Sequence, residues 1–318
     1  MIPETTDTNE ERSMKIMGEQ FWWFYDVLAV AAALVCVFLS GRKGLLKSFI
    51  NFVGYVLAFA VAFSVSGGIA GGIYKNTIRD SNVKKVKTAL EYYELPSKLE
   101  EQLGIMGYNV NIKRDKLTKI LNSGKPIDDQ IYKYMKDATI NNSKGLPPKE
   151  EFCEQLHEIY GTLVKNILSE ELSKYSAENA AREIKDDPSK FEAAVPLIMD
   201  KEDRGPAAEY LADTFTEEPY KYVMRLIVFI ILLVLVIIIS IFVTGTIIDS
   251  DHTEQSIVSH ICGGLVGVLK GAIIVFGIAA IVRLNVVMGS DEMLFFNHEA
   301  IDKTFIFRHA YDFIVDKF

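Results

Sequence analysis

Two apolar runs, residues 24–40 and 45–68, are separated only by the four residues Gly41-Arg42-Lys43-Gly44. Each run is close to the roughly 20 residues that a helix needs to cross a bilayer. So short a connection leaves the second run no course except back along the first, so the pair is predicted to form a transmembrane helical hairpin. Gly41 can end the first helix, and Gly44 gives the reversal room. Arg42, Lys43 and Lys47 suit a headgroup surface, where cationic side chains anchor a helix end. Gly54, Ala58, Ala62, Ser66 and Ala70 recur every fourth residue on the second run, which makes one face of small residues for close helix packing.

The rest of the chain divides by composition. Of its 318 residues 49% are hydrophobic, and the mean hydropathy of +0.17 averages very apolar stretches with a highly charged middle. A net charge of −8 argues against a nucleic-acid partner, because phosphate binding needs a concentrated basic surface. The three cysteines, Cys36, Cys153 and Cys262, form neither a disulfide framework nor a metal spacing. Residues 1–20 are polar and mostly acidic, unlike the basic start of a secretory signal, so the first apolar run reads as a retained span. Trp22, Trp23 and Tyr25 open that span as an interfacial aromatic belt, and Asp26 just inside reads as a cap or polar contact.

The middle segment, 75–218, is charged throughout and has no run long enough to span. Val83, Val86, Leu90 and Tyr93 share one helical face, as do Phe152, Leu156, Ile159, Leu163 and Ile167. Breaks fall at 104–107, 122–126, 141–148, 186–188 and 205–206. The segment reads as a water-exposed helical insertion. His157 stands beside Glu154 and Glu158 with no nucleophile elbow, and Asp128-Asp129 and Asp186-Asp187 suit helix starts. Asn141-Asn142-Ser143 matches a short glycosylation sequon.

A third apolar run follows Pro219 and is almost purely Ile, Leu, Val and Phe up to residue 248. A polar loop carries Asp249, Asp251, His252, Glu254 and His260, whose spacing matches no metal cage. The fourth run places Gly263, Gly267 and Gly271 at every fourth residue, a stripe expected to pack on the Gly54–Ala58–Ala62 face. Lys270 lies inside this run. Its ammonium either snorkels back toward the 249–260 side or lines a polar groove.

These features together resemble the colicin V production (CvpA) family. Asp26 with the Gly41-Arg42-Lys43-Gly44 turn is similar to that family's first hairpin. Gly263-x-x-x-Gly267-x-x-Lys270-Gly271 is similar to its second motif, and Ile301 to Tyr311 to its tail. Ser259-His260 stands where the family usually has an Asn or Arg, and the 75–218 insertion is large against the shortest members. The resemblance covers the membrane parts, under half of the chain. It implies a multi-pass protein of the bacterial inner membrane, associated with bacteriocin production or export and with envelope upkeep, and brings no enzymatic activity or cofactor.

The expected architecture is therefore an all-α integral membrane protein. It has a polar tail over 1–20, a transmembrane hairpin over 21–74, a helical extracytoplasmic insertion over 75–218, a second hairpin over 219–284 and an amphipathic segment over 285–318. The last segment places Ile306, Ala310, Phe313 and Ile314 on one face, to lie on a membrane surface or on the insertion. The Arg42-Lys43 turn is expected in the cytoplasm, with both termini and the insertion outside. The expected partners are the lipid bilayer and envelope or export proteins, with self-association through the Gly-rich faces. The functional reading is an accessory scaffold. Its alternative is a transporter or channel component with Lys270 in a polar pathway. An enzyme lacks any nucleophile–base pair.

Overall fold

The computed structural model describes residues 22–108, 111–139, 145–248, 256–288 and 298–318. The N-terminal tail, the Asn141-Asn142-Ser143 sequon and the loop residues Asp249, Asp251, His252 and Glu254 lie outside them. Among the described residues the chain is all-helical with no strand, and it divides into two compact units. One contains residues 73–220. The other combines the residues before 73 with those after 220.

In the second of these units, three helices are long and apolar enough to cross a membrane, and they mark a membrane protein. They are α1 (Trp23–Ile73), α10 (Glu217–Ile248, its first turn belonging to the other unit) and α11 (Ile257–Val287). Helix α1 is broken at Gly44, whose φ of 74° and ψ of 173° are open to glycine and strained for any other residue. The chain reverses there. Ser48 Oγ donates to the Ser40 carbonyl at 2.6 Å, although eight residues of unbroken helix would separate them by about 12 Å.

The core of this unit joins Tyr25 and Ala29 of the first arm, Ala58 and Ala62 of the second, Phe229 and Leu233 of α10, and Val275 and Ala279 of α11. Outward faces are apolar, with Phe38, Phe242 and Leu265 all more than 60% exposed (62%, 71% and 65%). Such a surface suits lipid and would aggregate in water. Two short helices complete the unit, α12 (His298–Asp302) and α13 (Phe307–Lys317). In the C-terminal segment, Phe307, Tyr311 and Ile314 enter this core, and Ile306 is exposed. The helix begins one residue later than its apolar pattern suggests, so Phe307 takes the anchoring position. Its ring stacks on Tyr25 with centroids 5.0 Å apart.

The unit of residues 73–220 begins with a π turn, Tyr74–Ile78. Eight helices follow: α2 (Arg79–Leu90), α3 (Leu95–Ile105), α4 (Arg114–Leu121), α5 (Ile127–Thr139), α6 (Lys149–Ser169), α7 (Lys174–Asp186), α8 (Ser189–Met199) and α9 (Gly205–Phe215). Helix α6 is its centre. Phe152, Leu156, Ile159, Leu163 and Ile167 recur at helical spacing and are buried. Side chains from the other helices close around that stripe as one core. The π turn sets Tyr74 against Thr216. Thr216 donates its hydroxyl proton to the Ala212 carbonyl, so Tyr74 and Asn82 both donate to Thr216 Oγ1. Arg79 pairs bidentately with Asp213 at 2.8 and 2.6 Å.

Candidate functional site

The motif residues converge where α1 reverses. The glycines of α11 lie on the backbone of the first arm. A Cβ at Gly263 would stand 2.8 Å from the Ser40 carbonyl oxygen, one at Gly267 2.6 Å from the Cys36 oxygen and Val37 Cα, and one at Gly271 2.7 Å from Ala33 Cα. The stripe therefore does not meet the Gly54–Ala58–Ala62 face. Gly54 packs on α10 instead, its position for a Cβ lying 2.6 Å from Ser240 Oγ. The physical reason is that the first arm has its own seam of small residues, Ala29, Ala33, Cys36 and Ser40, at four-three-four spacing. That pattern was visible in the sequence and is the one the glycines use. The chain's own first arm covers the Gly263–Gly271 stripe.

Helix α11 also completes the turn. Breaking a helix at Gly44 leaves an orphan N–H at the start of the second arm and an orphan carbonyl at the end of the first. The Leu45 N–H donates to Ser259 Oγ at 3.0 Å, and His260 Nδ1 donates to the Gly41 carbonyl at 2.7 Å. Ser259-His260, which the sequence marks only as a departure from a family pattern, thus closes both ends of the reversal. No metal-ligating cluster occurs among the described residues. Arg42 lies over the Phe38 ring at 5.5 Å, and Lys43 is on the same turn.

Lys270 points back along α11 toward the reversal. Its Nζ donates to Ser40 Oγ at 3.1 Å and lies 5.9 Å from the centre of the Tyr55 ring. Only 4% of the residue is exposed. The ammonium therefore stops inside the helix packing, held by one hydroxyl and one π face, with no carboxylate in ion-pair range among the described residues. Asn51 continues the polar line, 3.5 Å from Thr244 Oγ1 of α10. Ser40 and Ser48 were not singled out by sequence reasoning. Their spacing of four on either side of Gly44 was the available signal.

Asp26 lies elsewhere, fourteen residues and roughly 21 Å of helix from Ser40. Its carboxylate accepts the backbone N–H groups of Phe305, Ile306 and Phe307 at 2.8–2.9 Å. These are the orphan donors at the start of α13, which Asp26 caps from a different helix. Thr304 Oγ1 takes the next donor, Arg308 N–H.

The unit of residues 73–220 holds the closest approach to reactive chemistry. His157 Nε2 lies 2.8 Å from Asp128 Oδ2, and Tyr160 donates to Asp128 Oδ1 at 2.9 Å. Cys153 precedes His157 by one helical turn. Burial pushes its thiol up, Asp128 and Asp129 add to the effect, and Lys149 opposes it. A thiol held protonated is a poor nucleophile. Burial and Asp128 also hold the Tyr160 phenol well above its usual range. The cluster fastens the start of α5 to α6, with Tyr160 stacked 4.1 Å from Phe191 of α8.

Comparison with protein-family models, curated proteins and solved structures finds no match to this chain.

Proposed function

We propose that this chain is a membrane scaffold of the CvpA type, with two helical hairpins in a bacterial inner membrane and no catalysis of its own. In this reading the Gly44 reversal divides α1 into two spans, so α1, α10 and α11 supply four crossings. Each arm reaches the roughly 20 residues that a span needs. The unit of residues 73–220 is the extracytoplasmic part that meets envelope or export partners. The Arg42-Lys43 turn faces the cytoplasm, following the preference of Lys and Arg for that side.

One observation carries the reading. The polar motif residues act as joints between helices: Asp26 caps α13, Ser259 and His260 close the reversal, and Lys270 fastens α11 to Ser40. Groups engaged in this way build a frame. The 73–220 unit has a closed core of its own and offers a large charged surface for contacts.

Sidedness and function are tested together. In a cysteine-free background, cysteines replacing Ser123 and Lys43 should react with an impermeant reagent from opposite faces of the membrane. Labelling of both from one face defeats the four-span arrangement. A photo-crosslinker at Tyr92, which is exposed, should give discrete protein adducts in cells, whereas one at Phe242 should give lipid adducts. The buried ammonium of Lys270 favours a second reading, a polar pathway for a solute. That reading requires solute flux in reconstituted vesicles that Lys270→Met abolishes.

A further inference from the structure

A groove of about 750 Å³ opens on the surface of the apolar unit, between the first arm of α1 and the start of α11. Val37, Phe38, Leu265 and Val268 form its walls. Gly264 forms part of its floor, where a Cβ would come 3.5 Å from Val37 Cγ1, so the glycine keeps the groove deep. At one end the lining turns polar, with Arg42 and His260. Arg42 is held there by Phe38, its guanidinium 5.5 Å from the ring centre. With His260 Nδ1 fixed on the Gly41 carbonyl, its Nε2 is left for another partner.

From the geometry we infer that this groove binds one anionic phospholipid, its acyl chain along the walls, its phosphate at Arg42 and a glycerol headgroup hydroxyl donating to His260 Nε2. The dimensions agree. From His260 to Val268 the helix rises roughly 12 Å, most of the roughly 15 Å depth of one leaflet's hydrocarbon. In hydrocarbon, an apolar groove with a cationic end matches a molecule that is chain on one side and phosphate on the other. The charge selects the headgroup. Arg42, the cation in the groove's lining, would repel the ammonium of a zwitterionic lipid, whereas a phosphatidylglycerol headgroup carries only the phosphate's charge. A guanidinium also meets a phosphate through paired N–H donors, which an ammonium cannot do. The inference needs only that α1 and α11 lie in a bilayer, so it stands or falls separately from the scaffold reading.

The test is native mass spectrometry of the full-length protein, released from mild detergent containing equimolar phosphatidylglycerol and phosphatidylcholine. The wild type should retain one phosphatidylglycerol in preference to phosphatidylcholine. Arg42→Gln should lower that retention about fivefold, the effect of one basic residue facing an anionic lipid, while Lys47→Gln on the same turn leaves it within twofold. Leu265→Trp, which fills the groove without changing charge, should also lower it. Thermal melting in detergent establishes that each variant is folded. If Leu265→Trp does not fold, the contrast between Arg42→Gln and Lys47→Gln decides. Equal retention of both lipids by the wild type overturns the site, as does equal loss in Arg42→Gln and Lys47→Gln, which signals diffuse surface charge. Displacement of the lipid by millimolar inorganic phosphate, or a second copy of the chain on the groove in its place, also overturns it.

Discussion

The core around α6 and the seam between α11 and the first arm of α1 are built on opposite principles. Around α6, large side chains such as Phe152, Leu156 and Phe191 fill the space between helices, and water exclusion holds them together. Along the seam, Gly263, Gly267 and Gly271 remove side chains so that backbone meets backbone. Lipid is as apolar as leucine, so burying leucine from lipid gains little, and close contact with interhelical hydrogen bonds must serve instead. Gly161 of α6 is a local exception, its position for a Cβ lying 2.7 Å from the Ala181 carbonyl oxygen. There the close approach belongs to a single helix pair inside a core otherwise filled by side chains. The difference predicts opposite sensitivities. The seam should tolerate no added bulk, and the α6 core no lost bulk.

The largest effect is expected at Gly267. A leucine there would drive its first carbon into the Cys36 carbonyl and Val37 Cα, both backbone atoms that no rotamer change can move. Gly267→Leu should abolish the monodisperse folded protein in detergent. Ile238→Leu, on an exposed face of α10, should leave its elution and melting unchanged. Equal behaviour of the two variants would break the comparison at its root.

Next in size is the removal of bulk. Phe191 is fully buried and stacked on Tyr160, so Phe191→Ala should cost about 3–5 kcal/mol through lost burial and the cavity left behind. Phe242→Ala removes the same ring from an exposed apolar face and should change detergent stability by less than about 0.5 kcal/mol. Chemical unfolding followed by tryptophan-independent far-UV signals measures both. A large loss at Phe242 would mean that this face is packed and not lipid-facing.

A smaller effect belongs to the cap on α13. Asp26→Asn keeps the shape and one acceptor but removes the charge that three N–H groups share. A loss of about 1–2 kcal/mol is expected, since hydrogen bonds to charged groups are the stronger ones. It should appear locally, as faster amide exchange at residues 305–308 with exchange in α6 unchanged. Uniform acceleration in both units would show that the cap supports more than its own helix.

Which parts were legible in the sequence follows the same division. Period-3.6 patterns of large side chains identify α6 directly, because a stripe from Phe152 to Ile167 has one meaning wherever it packs. The reversal was equally plain, since four residues between two apolar runs permit little else and Gly44 supplies the required backbone. The partner of the glycine stripe was not legible. Small residues at every fourth position say that something comes close and not what, and both arms of α1 offer such a face. Ala33 and Cys36 carried the answer on the less conspicuous arm. Joints between distant residues were also hidden: nothing local to Asp26 points to Phe305, and nothing local to Ser259 points to Leu45. These pairs are fixed by how the helices meet, which sequence spacing alone does not determine.

A small stability change is expected for Lys270→Met, because opposing terms nearly cancel. The Lys270 ammonium is removed from solvent, which is unfavourable, and is offset by one hydrogen bond to Ser40 and the face of Tyr55. Lys270→Met keeps the length and apolar stem, removes the charge and forfeits the hydrogen bond, so melting should shift by no more than about 1 kcal/mol in either direction. Lys270→Arg should be worse than Met despite keeping the charge. A guanidinium is bulkier, and the seam has no slack, so overpacking of about 1–3 kcal/mol is expected. This order is the reverse of what a snorkelling lysine would give, because at a free interface arginine substitutes readily and burial never enters. Melting of the two variants in one detergent therefore locates the ammonium. Methionine milder than arginine places it inside the seam. Arginine equal to wild type would place it at the surface and remove the link between α11 and Ser40 on which the frame of joints depends.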